Sequence, residues 1–283
     1  MSNTASSTTS QRYTDSEWDQ VLTSVASVEY QRAVVGLHFH RNTHDERMSF
    51  KLRPWAYRLW ADRSDHIVLV KSSQVGATEW LICDMMVEAA NNREGTYILP
   101  TDKWRNEFVP RRIDKTINRV PLYRAYTSTA KKDTDMKSQK VFFTKNWRFV
   151  GTNSEKNFYE APADTLLFDE YDKCDQGNLI YAYDRLGAAE QPKTRIVGNP
   201  TMPGYGIDAK FDLSDKKYWF IQCSHCNERQ QLDWFVNVVR RDDSGSFVLR
   251  DSLQSSSSDG SGGDALVCCR RCFKPIDRLM DGE

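Results

Sequence analysis

The sequence of 283 residues contains no long apolar run and no excess of charge of either sign. Its longest apolar stretches, such as Ile67–Val70 and Thr165–Phe168, have the length of β-strands. A membrane helix needs roughly 20 apolar residues, so we expect no membrane association. Lys plus Arg and Asp plus Glu number 39 each, so the net charge neither requires nor excludes a polyanionic partner.

Cysteine is also scarce. The chain has seven cysteines, which are too few for a disulfide-rich secreted scaffold. Residues 1–11 are rich in Ser and Thr and lack the basic and apolar parts of a secretory signal. These absences favour an intracellular protein, in which clustered cysteines more often bind metal than form disulfides. The hydrophobic content of 39% is typical of a globular protein and excludes a disordered or fibrous chain.

Short β-rich segments alternate with longer mixed segments between residues 67 and 201, a pattern typical of an α/β sheet with crossover helices. We predict a helix over Thr78–Asn91 and a second helix after Thr101. The apolar side chains that the second helix is expected to turn toward the sheet are Trp104, Phe108 and Ile113. The predicted strands are Ile67–Val70, Thr96–Leu99, Val141–Thr144, Trp147–Val150, Thr165–Phe168 and Thr194–Val197.

A candidate phosphate loop lies between the first predicted strand and its helix. Backbone N–H groups at the start of a helix bind anions, and a glycine lets the chain wrap around a phosphate. Against the usual G-x-x-x-x-G-K-[S/T] pattern, Gly76 and Thr78 fit, Ala77 replaces the lysine, and Lys71 stands at the first glycine. We predict that Lys71 supplies the cation from the other end of the loop. The candidate nucleotide-binding residues are Lys71, Ser72, Ser73, Gln74, Val75, Gly76, Ala77 and Thr78.

Two adjacent acids follow the predicted strand Thr165–Phe168. Neighbouring side chains on a strand point to opposite sides, so one of Asp169 and Glu170 can hold Mg²⁺ while the other, beyond the strand end, addresses the attacking water. Taken singly, the loop is also typical of a plain strand–turn–helix, and the acid pair is typical of a solvated turn. Their order along one chain favours nucleotide hydrolysis, with Glu170, Lys71 and Asp169 as the catalytic residues.

Three motifs together resemble the ATPase domain of the large terminase subunit of tailed bacteriophages, and the lambda-like type in particular. They are Lys71–Thr78, Leu166–Asp172 and Val197–Thr201, and the resemblance covers roughly residues 45–280. It implies a P-loop NTPase (RecA/ASCE-like) fold, which is an α/β fold with a mainly parallel sheet flanked by helices. It also implies an ATPase motor that translocates double-stranded DNA into a procapsid.

The same resemblance implies residue roles and partners. Asp169 and Thr78 would bind Mg²⁺, Lys71 would contact the phosphates of ATP, and Glu170 would be the catalytic base. The motif that couples hydrolysis to movement would comprise Gly198, Asn199, Pro200 and Thr201. The implied partners are double-stranded DNA, the portal protein, the small terminase subunit and further copies of the chain in a ring, in the cytoplasm of the host cell.

Large subunits of this family continue into a nuclease domain. The sequence ends at Glu283, which leaves no room for that domain, so we expect a fragment that hydrolyses ATP without cutting DNA.

Two Cys-x-x-Cys pairs occur in the C-terminal part of the chain. Each pair can supply two thiolates, and two pairs can close a tetrahedral zinc site. A Ser- and Gly-rich insertion between the pairs accounts for most of their long separation. Unbound thiols are the alternative, and Cys268 can substitute for its neighbour. We predict a structural Zn²⁺ held by Cys223, Cys226, Cys269 and Cys272.

These patterns predict three parts: an N-terminal tail and lead-in helix (1–44), a P-loop ATPase core (45–206) and a zinc-ribbon module (207–283) with a disordered loop at 251–264. The basic segment 103–119 can follow a phosphate backbone or form an ordinary solvated face. It can also supply an arginine finger from Arg111, Arg112 or Arg119. Two other functions stay open: a helicase-like DNA translocase, and a non-catalytic zinc-ribbon module that binds nucleic acid or a scaffold.

Overall fold

A computed structural model describes residues 31–42, 44–50, 53–127, 137–159, 162–241, 243–250 and 266–276. The chain divides into two compact units, the first formed by 1–48 with 60–209 and the second by 49–59 with 210–283. The predicted tail 1–11 and the predicted loop 251–264 lie outside the described residues, and the predicted domain boundaries stay predictions. None of the described helices has the length and apolar composition that a membrane crossing needs.

The first unit contains a six-stranded sheet whose strands lie in the order β1-β6-β5-β2-β4-β3. All neighbouring strands are parallel except the antiparallel pair β3–β4. Parallel neighbours require crossover connections, so the predicted mainly parallel α/β sheet is confirmed. The strands are β1 (His66–Val70), β2 (Gly95–Leu99), β3 (Gln139–Phe142), β4 (Lys145–Gly151), β5 (Thr165–Phe168) and β6 (Lys193–Gly198).

The predicted third strand differs from the observed one at its C-terminal end. The sequence predicts Val141–Thr144, whereas β3 ends at Phe142. Phe143 and Thr144 have φ angles of 50° and 75° and form the turn into β4. A two-residue hairpin turn requires this left-handed backbone, which apolar and β-branched residues rarely adopt, so composition alone misplaces the boundary.

The described residues also form helices, and the predicted helix after the candidate loop is observed as α3. The helices are α1 (Gln31–His38), α2 (Pro54–Ala61), α3 (Ala77–Ala90), α4 (Asp102–Phe108), α5 (Asp114–Arg119), α6 (Pro121–Tyr126), α7 (Leu179–Tyr183) and α8 (Gly206–Asp212). Shorter turns include a π-helix at Val109–Ile113 and a 3₁₀ helix at Tyr171–Lys173.

The second predicted helix exists, but one of its expected core residues is on the surface. Phe108 and Ile113 are buried as predicted, whereas Trp104 is 39% exposed. Trp104 lies in the first turn of α4, and Lys173 Nζ lies 5.2 Å from the centroid of its ring. The prediction that Trp104 packs on the sheet is therefore wrong.

Helix α3 is buried along almost its whole length and carries charged side chains into the interior. Asp84 lies 2.9 Å from Arg195 of β6 and 3.0 Å from Arg32 of α1. Glu88, one turn further along, lies 2.9 Å from Lys193 at the start of β6. Charges buried to this degree are almost always paired, and these pairs join the helix to the strand.

The second unit contains two small antiparallel hairpins. One pairs β7 (Ile221–Gln222) with β8 (Arg229–Gln230), and the other pairs β9 (Val239–Arg241) with β10 (Phe247–Leu249). Its small buried cluster contains Ile221, Cys223, Cys269 and Ile276. Because two of these four residues are cysteines, the stability of this cluster depends on the state of the thiols.

The glycine at the end of β4 gives a test of the fold. A Cβ atom on Gly151 would collide with the backbone of Thr101 and Asp102, where α4 begins. We expect Gly151→Ala to lower the free energy of unfolding by about 3 kcal/mol because backbone atoms cannot move aside. Thermal melting should then show a Tm lowered by about 5–10 °C. Gly187→Ala is the matched control, since its Cβ would meet its nearest neighbour, Asp184 O, at 3.4 Å; an equal loss in both variants would contradict this account.

Candidate active site

Three parallel strands of the first unit end side by side. Val70 of β1 pairs with Gly198 of β6, and Phe168 of β5 pairs with Ile196 of β6. The Lys71 amide continues this ladder and donates to the Gly198 carbonyl at 3.0 Å. The residues that follow β1, β5 and β6 therefore meet at the carboxyl edge of the sheet, where open α/β proteins bind their ligands.

The loop from β1 to α3 turns through two residues with left-handed backbone, Gln74 (φ 61°) and Gly76 (φ 84°). Gly76 precedes the first turn of α3, and nothing lies within 4 Å of the position that its Cβ would take. Open space beside a helix N-terminus fits an anion such as phosphate. The observed backbone thus has the form that the candidate phosphate loop requires.

Lys71 extends across the carboxyl edge of the sheet. Its Nζ donates to Glu170 Oε1 and to Asn199 Oδ1, both at 3.0 Å. Asn199 in turn donates from Nδ2 to Ser73 Oγ in the loop, at 3.2 Å. The lysine side chain is 7% exposed, so its charge is largely withdrawn from water and directed at these partners. Lys71 therefore links the loop, the acid pair and the segment after β6.

Asp169 lies buried between the loop helix and the centre of the sheet. Its Oδ2 accepts hydrogen bonds from Thr78 Oγ1 at 3.0 Å and from Tyr97 OH at 2.9 Å. Its Oδ1 is buried and has no hydrogen-bond partner among the described residues. Burial raises the pKa of Asp169 and outweighs the two hydrogen bonds, which lower it. A carboxylate oxygen without a partner beside a hydroxyl fits a hard cation such as Mg²⁺.

Glu170 has other hydrogen-bond partners than Asp169, and it lies beyond the end of the strand. Strand β5 ends at Phe168, and Glu170 has a left-handed backbone with φ 56°. Its Oε1 accepts from Lys71, and its Oε2 accepts from Lys173 Nζ at 2.8 Å. Burial alone would raise the pKa of Glu170, but the two lysines outweigh it and lower the pKa. Glu170 is therefore a carboxylate in its charged form at neutral pH.

The segment after β6 is fixed from its far side by Asp172. Asp172 Oδ2 accepts from the Thr201 amide at 2.7 Å and from Thr201 Oγ1 at 2.8 Å. Its Oδ1 accepts from the Ile207 amide at 2.6 Å, close to the start of α8. A Cβ on Gly206 would collide with this carboxylate, which explains why glycine stands there. The segment 198–201 thus contacts Lys71 at one end and the turn after β5 at the other.

Sequence reasoning misses three side chains of this site, Tyr97, Asp172 and Lys173. Tyr97 lies in β2 next to β5, and only the strand order shows that its hydroxyl reaches Asp169. Lys173 stands three residues after Glu170, a spacing that brings side chains together in a helical turn. That spacing is the one signal in the sequence that points to this contact.

The three candidate arginine fingers have different surroundings. Arg112 Nη2 lies 2.7 Å from Glu79 Oε1, and Arg119 donates to the Asn42 carbonyl at 3.2 Å. Arg111 is 73% exposed and lies 3.8 Å from Glu107. Arg111 and Arg112 also line a cavity of about 450 Å³ together with Trp104. Arg111 is the one of the three whose guanidinium extends mainly into solvent.

Four cysteines of the second unit form one cluster. The sulfur atoms of Cys223, Cys226, Cys269 and Cys272 all lie within 4.8 Å of one another. The distances Cys223–Cys272 and Cys226–Cys269 are 3.7 and 3.6 Å. Sulfur atoms bound to one tetrahedral zinc at about 2.3 Å would lie about 3.8 Å apart. The cluster therefore has the size of a four-thiolate metal site.

Cys269 rather than its neighbour belongs to this cluster. Burial would raise the pKa of Cys269, but backbone N–H groups of Cys272 and Arg271 outweigh it and lower the pKa to about 6. Cys268 instead forms a β-bridge with Pro275 and is not among the clustered sulfur atoms. The predicted substitution of one cysteine for the other is therefore not needed.

The chain resembles known proteins, and one family matches most of its length. A family model described as "Phage terminase large subunit gpA, ATPase domain" matches residues 56–280, which is more than half of the chain. The chain belongs to this family. The predicted resemblance to large terminase subunits is thereby confirmed, while the lambda-like subtype is not distinguished. No curated protein sequence matches the chain.

Several solved structures are similar to this chain at low sequence identity, and the first of them shares its fold. The large terminase of bacteriophage HK97 is 11% identical with a TM-score of 0.53, over 66% of this chain and 42% of that protein. The ATPase domain of the Thermus phage P74-26 large terminase is 15% identical (TM-score 0.42, 56% of this chain, 67% of that one). The large terminase of another, thermophilic bacteriophage is 15% identical (TM-score 0.44, 63% and 44%). This chain spans less than half the length of the first and the third of these proteins.

The cysteine cluster is tested by two neighbouring substitutions. We expect Cys269→Ser to abolish binding of a metal ion, since it removes one of four converging thiolates and hydroxyl oxygen is a poorer ligand for soft metals. Cys268→Ser, the matched control, should retain one metal ion per chain. Elemental analysis of the purified variants measures the content. Metal loss in both variants, or in neither, would contradict the four-cysteine site.

Proposed function

We propose that this chain is the ATP-hydrolysing motor domain of a viral DNA-packaging terminase. The observation that carries the proposal is the meeting of the candidate loop, the acid pair and the segment after β6 around the Lys71 ammonium group. Family membership supports the same activity.

Lys71 and the loop amides are proposed to hold the triphosphate of ATP. The open space at Gly76 admits a phosphate at the N-terminus of α3, where backbone N–H groups stabilise negative charge. Lys71 Nζ has three protons and uses two of them for Glu170 and Asn199. A flexible ammonium group can turn toward the phosphates without moving its backbone, which the β1–β6 ladder fixes.

Thr78 and Asp169 are proposed to bind Mg²⁺. When bound there, the ion would neutralise phosphate charge that develops during transfer. The fit rests on the buried Asp169 Oδ1, which has no hydrogen-bond partner among the described residues. Tyr97 holds the other oxygen at 2.9 Å and so fixes the orientation of the carboxylate.

Glu170 is proposed to orient and deprotonate the attacking water. Its lowered pKa keeps it ionised, so it is ready to accept a proton. Its partners Lys71 and Lys173 differ from the Thr78 and Tyr97 hydroxyls that contact Asp169, so the proposed base and the proposed metal ligand have separate surroundings. Proton transfer to Glu170 would weaken its ion pair with Lys71, since the pair depends on the charge of the carboxylate.

Asn199 is proposed to transmit this change to the coupling segment Gly198, Asn199, Pro200 and Thr201. It contacts Lys71 and Ser73 at one end of the segment. Thr201 contacts Asp172 at the other end. Movement of Lys71 toward phosphate would therefore release or pull Asn199, with the Asp172 contact as the fixed point.

The proposed partners are double-stranded DNA, the portal protein, the small terminase subunit and further copies of the chain in a ring, in the host cell cytoplasm. The proposed metal of the second unit is a structural Zn²⁺, supported by sulfur distances of 3.6 and 3.7 Å. Four thiolates leave no coordination position for water, so this ion would stabilise the small core around Cys223 and Cys269 and take no part in catalysis.

Two substitutions separate binding from hydrolysis. We expect Glu170→Ala to lower the single-turnover rate of ATP hydrolysis by at least about 100-fold, because a general base is removed. Its affinity for a non-hydrolysable ATP analogue with Mg²⁺ should stay close to that of the wild type. Lys71→Met should instead weaken that affinity by about 10- to 100-fold, since it removes a charged hydrogen-bond donor. Rapid-quench kinetics and calorimetric titration measure the two effects.

Lys156→Met is the control for these variants, since Lys156 is an exposed lysine of the same unit outside the site. Hydrolysis that persists at the wild-type rate in Glu170→Ala would refute the assignment of the base. Unchanged analogue affinity in Lys71→Met would refute the assignment of the phosphate contact.

The role in packaging is tested with DNA. We expect double-stranded DNA at low salt to raise the rate of ATP hydrolysis, and this stimulation to fall as salt rises, because contacts to the phosphate backbone depend on counterion release. A steady-state ATPase assay over a salt series measures it. A rate that stays the same with and without DNA at every salt concentration would contradict a DNA-driven motor.

A further inference from the structure

We propose that Lys173, held against the ring of Trp104, is a positioning residue that keeps Glu170 aligned during hydrolysis. This inference rests on the proposed role of Glu170 as the base. Lys173 Nζ lies 2.8 Å from Glu170 Oε2 and 5.2 Å from the centroid of the Trp104 ring. One ammonium group therefore joins the carboxylate to an aromatic side chain from another part of the fold.

The Glu170 carboxylate needs a restraint of its own, because the backbone hydrogen bond from the Lys173 amide to the Glu170 carbonyl, at 2.9 Å, fixes the main chain and not the side chain. The residue follows the last hydrogen-bonded residue of β5 and has a left-handed φ of 56°. A non-glycine residue in this conformation stays there when its surroundings determine it. The two carboxylate oxygens each accept from a different lysine, Lys71 on Oε1 and Lys173 on Oε2. Together they fix both the direction and the rotation of the carboxylate.

The two lysines do not have equivalent tasks. Lys71 also donates to Asn199, and it is the proposed phosphate contact, so its hold on Glu170 changes when it turns toward a phosphate. Lys173 stands on the 3₁₀ turn Tyr171–Lys173 and has no such second assignment. It can hold Oε2 in place while Lys71 moves. The alignment of the base would otherwise be lost at the step that needs it.

Trp104 is suited to hold Lys173 because its own position is fixed. Its amide donates to Thr101 Oγ1 at 3.1 Å, which caps the start of α4. The adjacent Asp102 accepts from the Gly151 amide at 3.2 Å and from Asn157 Nδ2 at 3.1 Å, so the first turn of the helix is tied to β4. The ring is 39% exposed and attracts the ammonium group through its electron-rich face.

Stability does not explain these contacts. The Lys173 side chain is 52% exposed, and exposed ion pairs contribute little to the free energy of unfolding. A tryptophan at the surface likewise buries less apolar area than one in the core. The contacts do determine where the Glu170 carboxylate lies, and small displacements of a catalytic group reduce rates strongly.

The test compares four variants in single-turnover ATP hydrolysis. We expect Lys173→Met to lower the maximal rate by about 10-fold while the apparent KM for ATP stays within about twofold. Lys173→Arg should recover most of the loss, since it keeps a charge over the ring. Trp104→Ala should lower the rate less than Lys173→Met. The double variant should match Lys173→Met alone, because the tryptophan acts only through the lysine. The Tm and the analogue affinity of all four should stay near wild-type values.

Several outcomes would overturn the inference while leaving the proposed function intact. One is a wild-type rate in Lys173→Met when Glu170→Ala is inactive; another is fully additive losses in the double variant. An active Glu170→Ala would instead refute the proposed function itself. Lys156→Met controls for loss of a surface charge.

Crystal structures provide a readout that does not depend on turnover. If the wild-type chain hydrolyses ATP too slowly to measure, the position of the Glu170 carboxylate in Lys173→Met decides. A displaced or multiply oriented carboxylate would support the inference. A carboxylate in its wild-type position would overturn it.

Discussion

The parallel register of β1, β6 and β5 is the constraint on which the site depends. The three strands run in the same direction and end at the same edge, so residues that are far apart in sequence become neighbours there. Lys71 then needs only the length of its side chain to reach both Glu170 and Asn199. The Lys71 side chain therefore reaches the residues that follow β5, although no lysine follows Gly76 in the loop.

Much of the fold is predictable because the local composition of a segment indicates whether it forms a buried strand. The fully buried strands β2 and β5 are continuous apolar or β-branched runs, and the sequence predicts the bounds of both to within a residue or two. The sequence misplaces the turn between β3 and β4, because Phe143 and Thr144 adopt a left-handed backbone that their residue types disfavour. Trp104 is misassigned because its apolar residue type does not show which side chains of α4 are exposed to solvent.

The candidate site was less accessible to sequence reasoning than the fold. Local sequence patterns indicate phosphate and metal chemistry at four residues, namely Lys71, Thr78, Asp169 and Glu170. Tyr97 and Asp172 carry no such pattern, because their partners Asp169 and Thr201 are set by strand order and by the path of the chain after β6. The sequence also does not reveal that the strand ends before both acids and that the backbone of Glu170 is left-handed, so strand alternation does not place the two side chains.

The ion pairs inside the first unit limit which parts of it can move. Asp84 of the loop helix and Arg195 of β6 are both almost completely buried, and separating them would leave uncompensated charges in the interior, at a cost of about 3–5 kcal/mol. Helix α3 and strand β6 must therefore shift as one rigid body. Arg195 lies only three residues before Gly198, so the restraint that this pair places on β6 extends almost to the strand's last residue, and the short stretch between that residue and α8 lies outside it.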